Sequence, residues 1–464
     1  MNKIFLLGLA AFTLLCIVGI LAYSLFSSSG KQFTLSPKGQ TANAVANSEA
    51  VVSWSTNPDY LSAITEAVSN AKDKLGTKQP KFAYVVYISE ENHDAIISEV
   101  RKSIGPGVKI YGHTSNTIIT NDKVIDNVPF AIGVLLVASD NMTFGMGSLD
   151  QNKYTGFQAG KVAITQAIQD AGKTLSDKPE MVLYMGTTKR GKESEILSGV
   201  ASVIGKDVPV IGGNAKDFGP KFKDNWKQFT DTKTYDTGLM LVTLYAPRVG
   251  WGFEATFKLT DKQGTVTKSD GFRITQIDGK PALDVYDNWV NGEFYKKLNA
   301  GDFNSQEEKV DFTLVKGFTL LNPIAKIVTG PNNQTGQFAT SPIPDEQDVK
   351  NKSITVYAQV NTGDKISLYS GTWQVAMNRV ETIPTDALFR ANLKKGQGAF
   401  AVMAFCNGLK TVLPKEEFEK VPAITNDTLG VPFLGAVTAG EQGPIPGIGN
   451  VNANIVESIV IAGK

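Results

Sequence analysis

Continuous runs of apolar residues recur three times along the chain, each about as long as one β-strand. They are Phe82–Ile88, Met181–Met185 and Phe400–Phe405. A strand that is apolar at every position, and not only at every second one, is typical of a sheet whose two faces are both covered. The pattern therefore predicts three buried strands of the parallel α/β type.

A second strand follows each of these runs. Val108–Gly112, Val208–Gly212 and Val431–Gly435 share one pattern, which is Val, a variable residue, two large apolar residues and Gly. In the first two cases the intervening segment has apolar residues at helical spacing; the residues are Ile96, Ile97, Val100 and Ile104, and then Ile196, Leu197, Val200 and Ile204. In the third case, Lys415–Leu429 contains Pro422, which predicts a short or broken helix. A helical crossover makes the two strands parallel neighbours.

Each unit also has a helix before its first strand and a further strand at its end. The predicted helices run from the Asn57-Pro58 cap to Gly76, from Phe157 to Ala171 and from Asp386 to Leu393, and the final strands are Phe130–Val137, Leu239–Tyr245 and Ile455–Ile461. A repeat of this kind, found three times in the same order, is stronger than any single periodicity. We predict an α/β fold built from repeated αβαβ modules with mixed sheets.

Two regions that interrupt the modules carry turn signals. Asp278-Gly279 predicts a tight hairpin turn, and Asn361–Asp364 predicts another between the strands Ile354–Val360 and Lys365–Tyr369. We place the boundary between the two parts of the body near Lys280. The predicted domains are residues 56–280 and 281–464.

The N-terminus differs from the rest of the chain. Ile4–Phe26 contains no charged residue and is long enough to cross a bilayer as a helix, which takes about 20 residues. We predict that residues 1–26 are a membrane anchor, with a cleaved signal peptide as the alternative, and that the polar residues 27–55 are a flexible tether. Either segment would place the body outside the cytoplasm, membrane-anchored in the first case and secreted in the second.

Composition narrows the classes of function. The 464 residues include 46 Lys plus Arg and 45 Asp plus Glu, a net charge of +1 that gives no electrostatic basis for binding nucleic acid. Two His and two Cys are too few for zinc-finger spacings. We therefore predict no metal and no cofactor.

Ligands of parallel α/β sheets bind beyond the carboxyl ends of the strands, where loop amides and helix N-termini meet. Gly, Ser, Thr and Asn follow the predicted strands at this edge, and such residues suit recognition of a small polar molecule. The candidate ligand-binding residues are Gly112, Thr114, Ser115, Thr187, Gly212, Gly213, Asn214, Cys406, Asn407, Gly408, Thr438, Gly440 and Glu441.

The segments Gly398–Gly408, Val431–Gly435 and Thr438–Glu441 resemble the carboxy-terminal FIST domain, and Ala159–Ala171 with Val208–Ala215 resembles the amino-terminal FIST domain. The resemblance implies a sensory module that binds small ligands such as amino acids. The family motif usually has Arg where this chain has Leu409, and Ile where it has Gln442. Leu409 removes the strong anion donor that Arg would offer a ligand carboxylate.

Besides a surface or structural protein whose pockets are vestigial, two functions remain open. The first is a membrane-tethered, extracytoplasmic sensor that binds a small polar molecule and signals through a separate, unknown partner. The second is a hydrolase or transferase that uses Cys406 as nucleophile, with His113 as base if the two halves meet. We favour the sensor and predict no enzyme activity, because a free Cys is most often a small buried hydrophobe. The other histidine, His93, is expected at the surface.

Overall fold

The computed structural model describes residues 48–187, 192–215, 225–300, 313–331 and 333–464. The predicted membrane segment Ile4–Phe26 lies outside these residues, as does the tether up to residue 47. Within the described ranges, no helix combines the length and the apolar character that a membrane crossing needs. The last residues of the predicted tether, Glu49–Ser55, form a strand.

The first two modules have the same order of elements. The first consists of β1 (Glu49–Ser55), α1 (Tyr60–Leu75), β2 (Phe82–Ile88), α2 (His93–Ile104), β3 (Lys109–Thr114), β4 (Thr117–Ile119), β5 (Val124–Asp126) and β6 (Ala131–Ala138). The second consists of β7 (Thr143–Asp150), α3 (Gly156–Asp170), β8 (Met181–Thr187), α4 (Glu193–Ile204), β9 (Val210–Ala215), β10 (Gln228–Phe229), β11 (Thr234–Tyr235) and β12 (Gly238–Tyr245).

The third module is split by a long insertion after its first strand, β13 (Val249–Phe253). The insertion contains β14 (Lys258–Ser269), β15 (Gly271–Ile277), β16 (Lys280–Pro281), α5 (Ala282–Trp289), α6 (Glu293–Ala300), α7 (Thr313–Leu321), β17 (Ile324–Thr329), β18 (Thr335–Thr340), α8 (Glu346–Asn351), β19 (Ile354–Val360) and β20 (Lys365–Ser370). The module then continues with α9 (Trp373–Arg390), β21 (Gly398–Cys406), α10 (Asn407–Val412), α11 (Lys415–Phe418), α12 (Val421–Leu429), β22 (Phe433–Thr438), β23 (Glu441–Ile445), β24 (Gly449–Ala453) and β25 (Glu457–Gly463).

The fold is mixed α/β with four sheets, and each module has one of them. In every module the first two predicted strands are parallel neighbours, β2 with β3, β8 with β9, and β21 with β22, as the helical crossovers predict. The final strand of each module pairs antiparallel with the first of these, and an edge strand completes that side. The fourth sheet, formed by the insertion, is antiparallel throughout the described strands.

The three modules exchange hairpins in a cycle. The hairpin β4–β5 of the first module joins the sheet of the third, the hairpin β10–β11 of the second joins the sheet of the first, and the hairpin β23–β24 of the third joins the sheet of the second. Each sheet is therefore completed by a neighbouring module, so the body cannot be divided into independent halves at these strands.

The sheets face one another across a shared apolar core. The strands β2, β8 and β21 all contribute to one buried cluster, for example through Tyr84, Leu183 and Val402. The opposite faces of the strands pack against their own helices, as Val85 packs in the cluster of α1 and α2. The strands are thus covered on both sides, which explains why all residues of β2, β8 and β21 are buried.

Three local predictions need correction. Asn361–Asp364 forms a turn in which the Asp364 amide donates to the Asn361 carbonyl, but β19 and β20 do not pair with each other. Instead, β19 pairs with β15 and β20 pairs with β14, because the long β14 lies between β15 and β20 in that sheet. The helix expected from Asp386 begins at Trp373 and includes Pro384. His93 is buried, with Nδ1 2.8 Å from the Tyr87 hydroxyl.

Candidate functional site

A cavity of about 520 Å³ lies beyond the carboxyl ends of β21 and β22, at the junction of the third module with the insertion. The third module contributes Cys406, Asn407, Gly408, Thr411, Thr438, Ala439, Gly440, Asn454 and Ile455, and the insertion contributes residues that include Lys316, Thr319, Ser341, Asp345, Thr355 and Tyr357. Its position is the edge at which parallel strands commonly bind ligands.

A tight turn at Gly440 joins β22 to β23 beside the cavity. Gly440 has φ +76°, in the left-handed region that favours glycine. A Cβ atom at this position would also lie 3.2 Å from Asn214 Nδ2 and 3.3 Å from Asn452 Oδ1. Glycine therefore allows the chain to reverse closely enough to place Glu441 next to Thr438.

A second close contact holds Ile455 over Cys406. Ile455 has φ +57°, which is uncommon for a β-branched residue, and its amide donates to Cys406 Sγ over 3.2 Å. Its side chain covers Gly408, where an added Cβ would lie 2.4 Å from Ile455 Cδ1. Backbone strain of this kind often occurs at ligand sites, and here it aims an N–H group at the thiol.

Cys406, Thr438 and Glu441 form a buried polar group at the cavity wall. The Thr438 hydroxyl donates to Glu441 Oε1 over 2.9 Å, and Oε2 has no hydrogen-bond partner among the described residues. Burial raises the pKa of Glu441 to about 8, although hydrogen bonds from Cys406 and Thr438 oppose the shift. Burial and the Glu441 charge raise the pKa of the Cys406 thiol well above its usual range. Both groups are therefore neutral at pH 7.

The positions equivalent to Cys406 and Glu441 hold different residues in the other two modules. Strand register makes Ile88, Thr187 and Cys406 equivalent at the ends of the first strands. It also makes Ile118, Gln228 and Glu441 equivalent on the exchanged hairpins. The first pair is apolar and the second is a neutral hydroxyl–amide pair, hydrogen-bonded over 2.9 Å. Only the third pair can ionise.

Comparison with models of protein families shows which family the chain belongs to. A model of the FIST N domain matches residues 83–280, and a model of the FIST C domain matches residues 282–444. The chain belongs to the FIST domain family. FIST domains are suggested to be sensory or signalling domains.

Individual proteins are less similar to this FIST chain. Amylopullulanase of Thermoanaerobacterium thermosulfurigenes is 26% identical over 155 residues, which are 32% of this chain and 8% of that protein. The chain thus spans less than a tenth of that relative. Cyanuric acid hydrolase from A. caulinodans aligns with 90% of this chain and 100% of its own at 9% identity and a TM-score of 0.35. PurLQS from Thermotoga maritima aligns with 90% and 72% at 9% identity and a TM-score of 0.21.

The structure brings part of the predicted set together. Five of the predicted residues line the cavity, and Glu441 lies behind them, bonded to Thr438. These five are Cys406, Asn407, Gly408, Thr438 and Gly440. The Arg of the FIST C motif is replaced by Leu409, which is buried in the core, so this position gives the cavity no cation. Among the described residues that line the cavity, the one cation is Lys316, which is exposed.

The second module touches this site without lining the cavity. Gly213 packs against Thr438, since an added Cβ would lie 2.5 Å from Thr438 Cβ, and Gly212 and Gly213 pair with β23. The Asn214 carbonyl accepts from the Ala439 amide over 3.1 Å. The two loops are therefore in direct contact, and Gly212–Asn214 supports the turn at Gly440. Whether these residues bind a ligand stays a prediction.

Three of the four remaining predicted residues make contacts between modules, and Thr187 makes its contact within the second module. Gly112 packs beneath Phe229, Thr114 bonds with the backbone of Lys227, and Thr187 donates to Gln228. Ser115 donates to the Val437 carbonyl over 2.9 Å. None of these four lines the described cavity.

His113, the candidate base for Cys406, is engaged elsewhere. Its Nδ1 lies 2.9 Å from the Thr114 carbonyl oxygen, so this nitrogen carries the proton and Nε2 accepts from the Tyr84 hydroxyl. Burial lowers the pKa of His113 to about 4. The residue does not line the cavity, and both ring nitrogens already have partners within the first module.

Proposed function

We propose that this FIST protein is a sensor that binds a small polar molecule in the cavity beyond β21 and β22, with an amino acid as one candidate. The observation that carries the proposal is the composition of the wall. Hydroxyl, amide and backbone groups converge there with Gly408 and Gly440, which let a ligand approach the backbone. The volume of about 520 Å³ suits a metabolite.

Binding fits this site better than nucleophilic chemistry. A cysteine nucleophile needs a thiolate, and burial beside Glu441 disfavours the charged form of Cys406. His113 does not reach the cavity to act as its base. For the alternative, a hydrolase or transferase that uses Cys406, the one carboxylate among the described residues that line the cavity is Asp345, which is paired with Arg273 over 2.9 Å.

The proposal is tested by a thermal-shift screen of the chain against amino acids and related metabolites, because a ligand that binds only the native state raises its stability. Thr411→Trp should fill the cavity and abolish the shift. Thr385→Trp is a matched control, since Thr385 and Thr411 are both exposed helical residues whose hydroxyls donate to the carbonyl four residues earlier. A shift that survives Thr411→Trp, or no shift with any compound at millimolar concentration, contradicts the proposal.

We also propose that Ile4–Phe26 holds the body at the outer side of a membrane and that a separate protein transmits the signal. Support comes from the uncharged run in the sequence alone. A fusion of alkaline phosphatase after Lys464 should be active, because this enzyme folds only after export. An inactive phosphatase fusion together with a fluorescent green fluorescent protein fusion contradicts this topology.

A further inference from the structure

We propose that the cavity recognises a protonated amine of its ligand, through the wall formed by Cys406 and Thr438 with Glu441 behind it. The inference rests on the proposed function, because it names the chemical group that the same cavity selects. Three observations support it: the polarity of the wall, the unpartnered carboxyl oxygen, and the contrast with the other two modules.

The Thr438 hydroxyl presents an acceptor to the cavity. It gives its hydrogen to Glu441 Oε1, which leaves the lone pairs of its oxygen for the ligand. The Cys406 sulfur beside it accepts from the Ile455 amide over 3.2 Å. A ligand that meets the Thr438 hydroxyl therefore meets an acceptor, and it must supply a donor.

The Glu441 carboxyl lacks a positive partner. It has no exposed surface, and Oε2 has no hydrogen-bond partner among the described residues. A buried carboxylate is stable only when it is paired, so an ammonium group at the wall would supply the missing charge. A ligand carboxylate at the same place would be repelled.

The fold does not need an ionisable pair here. The equivalent positions are Ile88 with Ile118 in the first module, both in one apolar cluster, and Thr187 with Gln228 in the second. Gln228 has all of its polar atoms bonded, to Thr187, Gly186 and Gly238. Among the described residues at these equivalent positions, a carboxyl group with an unpartnered oxygen occurs only at Glu441, beside the cavity, which favours a role in binding.

Binding of an amine should release the proton of the Glu441 carboxyl group. The titratable neighbour of Glu441 is Cys406 on β21, and the flanking strands β9 and β24 present the uncharged Gly213 and Ala453 opposite it. Glu457 on β25, a second buried carboxyl, does not contribute to its shift. An ammonium ligand favours ionised Glu441, so affinity should rise about tenfold per pH unit up to about pH 8 and then level off.

The test uses amino acids, their N-acetyl derivatives and the corresponding decarboxylated amines as probes of the full chain. Compounds with a free amine should stabilise the protein, with or without a carboxylate, and N-acetyl derivatives should not. Calorimetry at pH 7 in two buffers of different ionisation enthalpy should show close to one proton released per amine bound.

Two variants test whether Glu441 is the group that recognises the amine. Glu441→Gln should weaken amine binding at least tenfold and remove its pH dependence, whereas Glu457→Gln, which changes an equally buried carboxyl outside the cavity wall, should alter neither. If N-acetyl compounds bind as well as free amines, or if wild-type binding releases no proton, the inference is overturned while the proposed function stands. If no amine binds but another compound of the metabolite screen does, the inference alone is overturned, and if no compound of either set binds, both are overturned. Proton release by the wild type decides the matter even if Glu441→Gln does not fold.

Discussion

The Thr187 hydroxyl donates to Gln228 Oε1 over 2.9 Å, and both side chains are buried where the second module's hairpin leaves for the first module's sheet. Gln228 Nε2 donates to the Gly186 carbonyl over 2.6 Å, and the Gly238 amide donates to Oε1 over 2.7 Å. One buried amide thus makes hydrogen bonds with three groups, on Thr187, Gly186 and Gly238.

Gln228→Ala should lower the free energy of unfolding by about 2–4 kcal/mol, because several buried donors and acceptors lose their partner at once. Gln347→Ala is the control. Gln347 is exposed and accepts one hydrogen bond from Arg273, so its loss should cost less than about 0.5 kcal/mol. Denaturant unfolding measures both, and equal effects would show that the Gln228 contacts contribute little.

Gly408→Ala tests the close contact at the cavity. The new methyl group would lie 2.4 Å from Ile455 Cδ1 and 3.1 Å from Leu320 Cδ2, so we expect destabilisation by about 1–3 kcal/mol. Gly317→Ala provides the comparison, since Gly317 lies within α7 with no atom near the added methyl. It should stabilise the protein by up to about 1 kcal/mol. Thermal melts of the two variants that shift in the same direction would contradict the packing described here.

Stability should fall as pH rises from 6.5 to 8. Burial raises the pKa of Glu457 to about 8, so the native state keeps a proton that the unfolded chain has already released. Glu441 acts in the same direction. Each group adds a slope of at most about 1.4 kcal/mol per pH unit. The histidines do not interfere, because the lowered pKa of His113 makes stability rise with pH only from about 4 to 6.5.

Glu457→Gln should make this decline shallower, since the amide cannot titrate. Unfolding free energies at pH 6.5, 7.2 and 8 for wild type and variant measure the difference. Parallel pH profiles would mean that Glu457 is ionised in the native protein.

Cys406 should react slowly with iodoacetamide in the native protein. The residue is 4% exposed, and burial holds the pKa of its thiol well above the usual range, so little thiolate is present at pH 7.5. We expect alkylation at least 100-fold slower than in denatured protein. Cys16→Ser removes the other thiol and makes mass spectrometry specific for Cys406. Rapid native alkylation would instead favour the thiol-dependent alternative.

Local sequence pattern predicted the central strands of each module well. Continuous apolar runs, as in Phe82–Ile88 and Met181–Met185, predicted the doubly covered strands β2 and β8, but β3, β9 and β22 continue beyond the Gly that was expected to end them. Parallel pairing followed from the helix between the strands. The cavity residues Cys406 to Gly408 and Thr438 to Gly440 were found for the same reason, since they follow such strands.

The edge strands β7 and β13 were missed because their glycines weaken the apolar pattern. At Gly145, Gly147, Gly250 and Gly252 an added Cβ would lie about 2 Å from a helix carbonyl oxygen. These strands therefore need Gly where a helix lies close to the sheet. The shared Gly-x-Gly spacing in β7 and β13 was the available signal.

Other features depend on residues far apart in the chain. Nothing near Glu441 in the sequence indicates its burial, which follows from the turn at Gly440 and pairing with β9. The contribution of the insertion to the cavity, through Ser341 and Tyr357, has no motif. Hairpin exchange also cannot be predicted from local sequence, because the partner strand belongs to another module.

The exchanged hairpins have a consequence for how the chain reaches its native state. Ser115 and Val437, which share a hydrogen bond, are 322 residues apart, so the sheet of the third module needs both ends of the body. During synthesis the hairpin β4–β5 stays unpaired with its final sheet until β22 has been made. Such high contact order implies slow folding and a long exposure of strand edges to chaperones and aggregation.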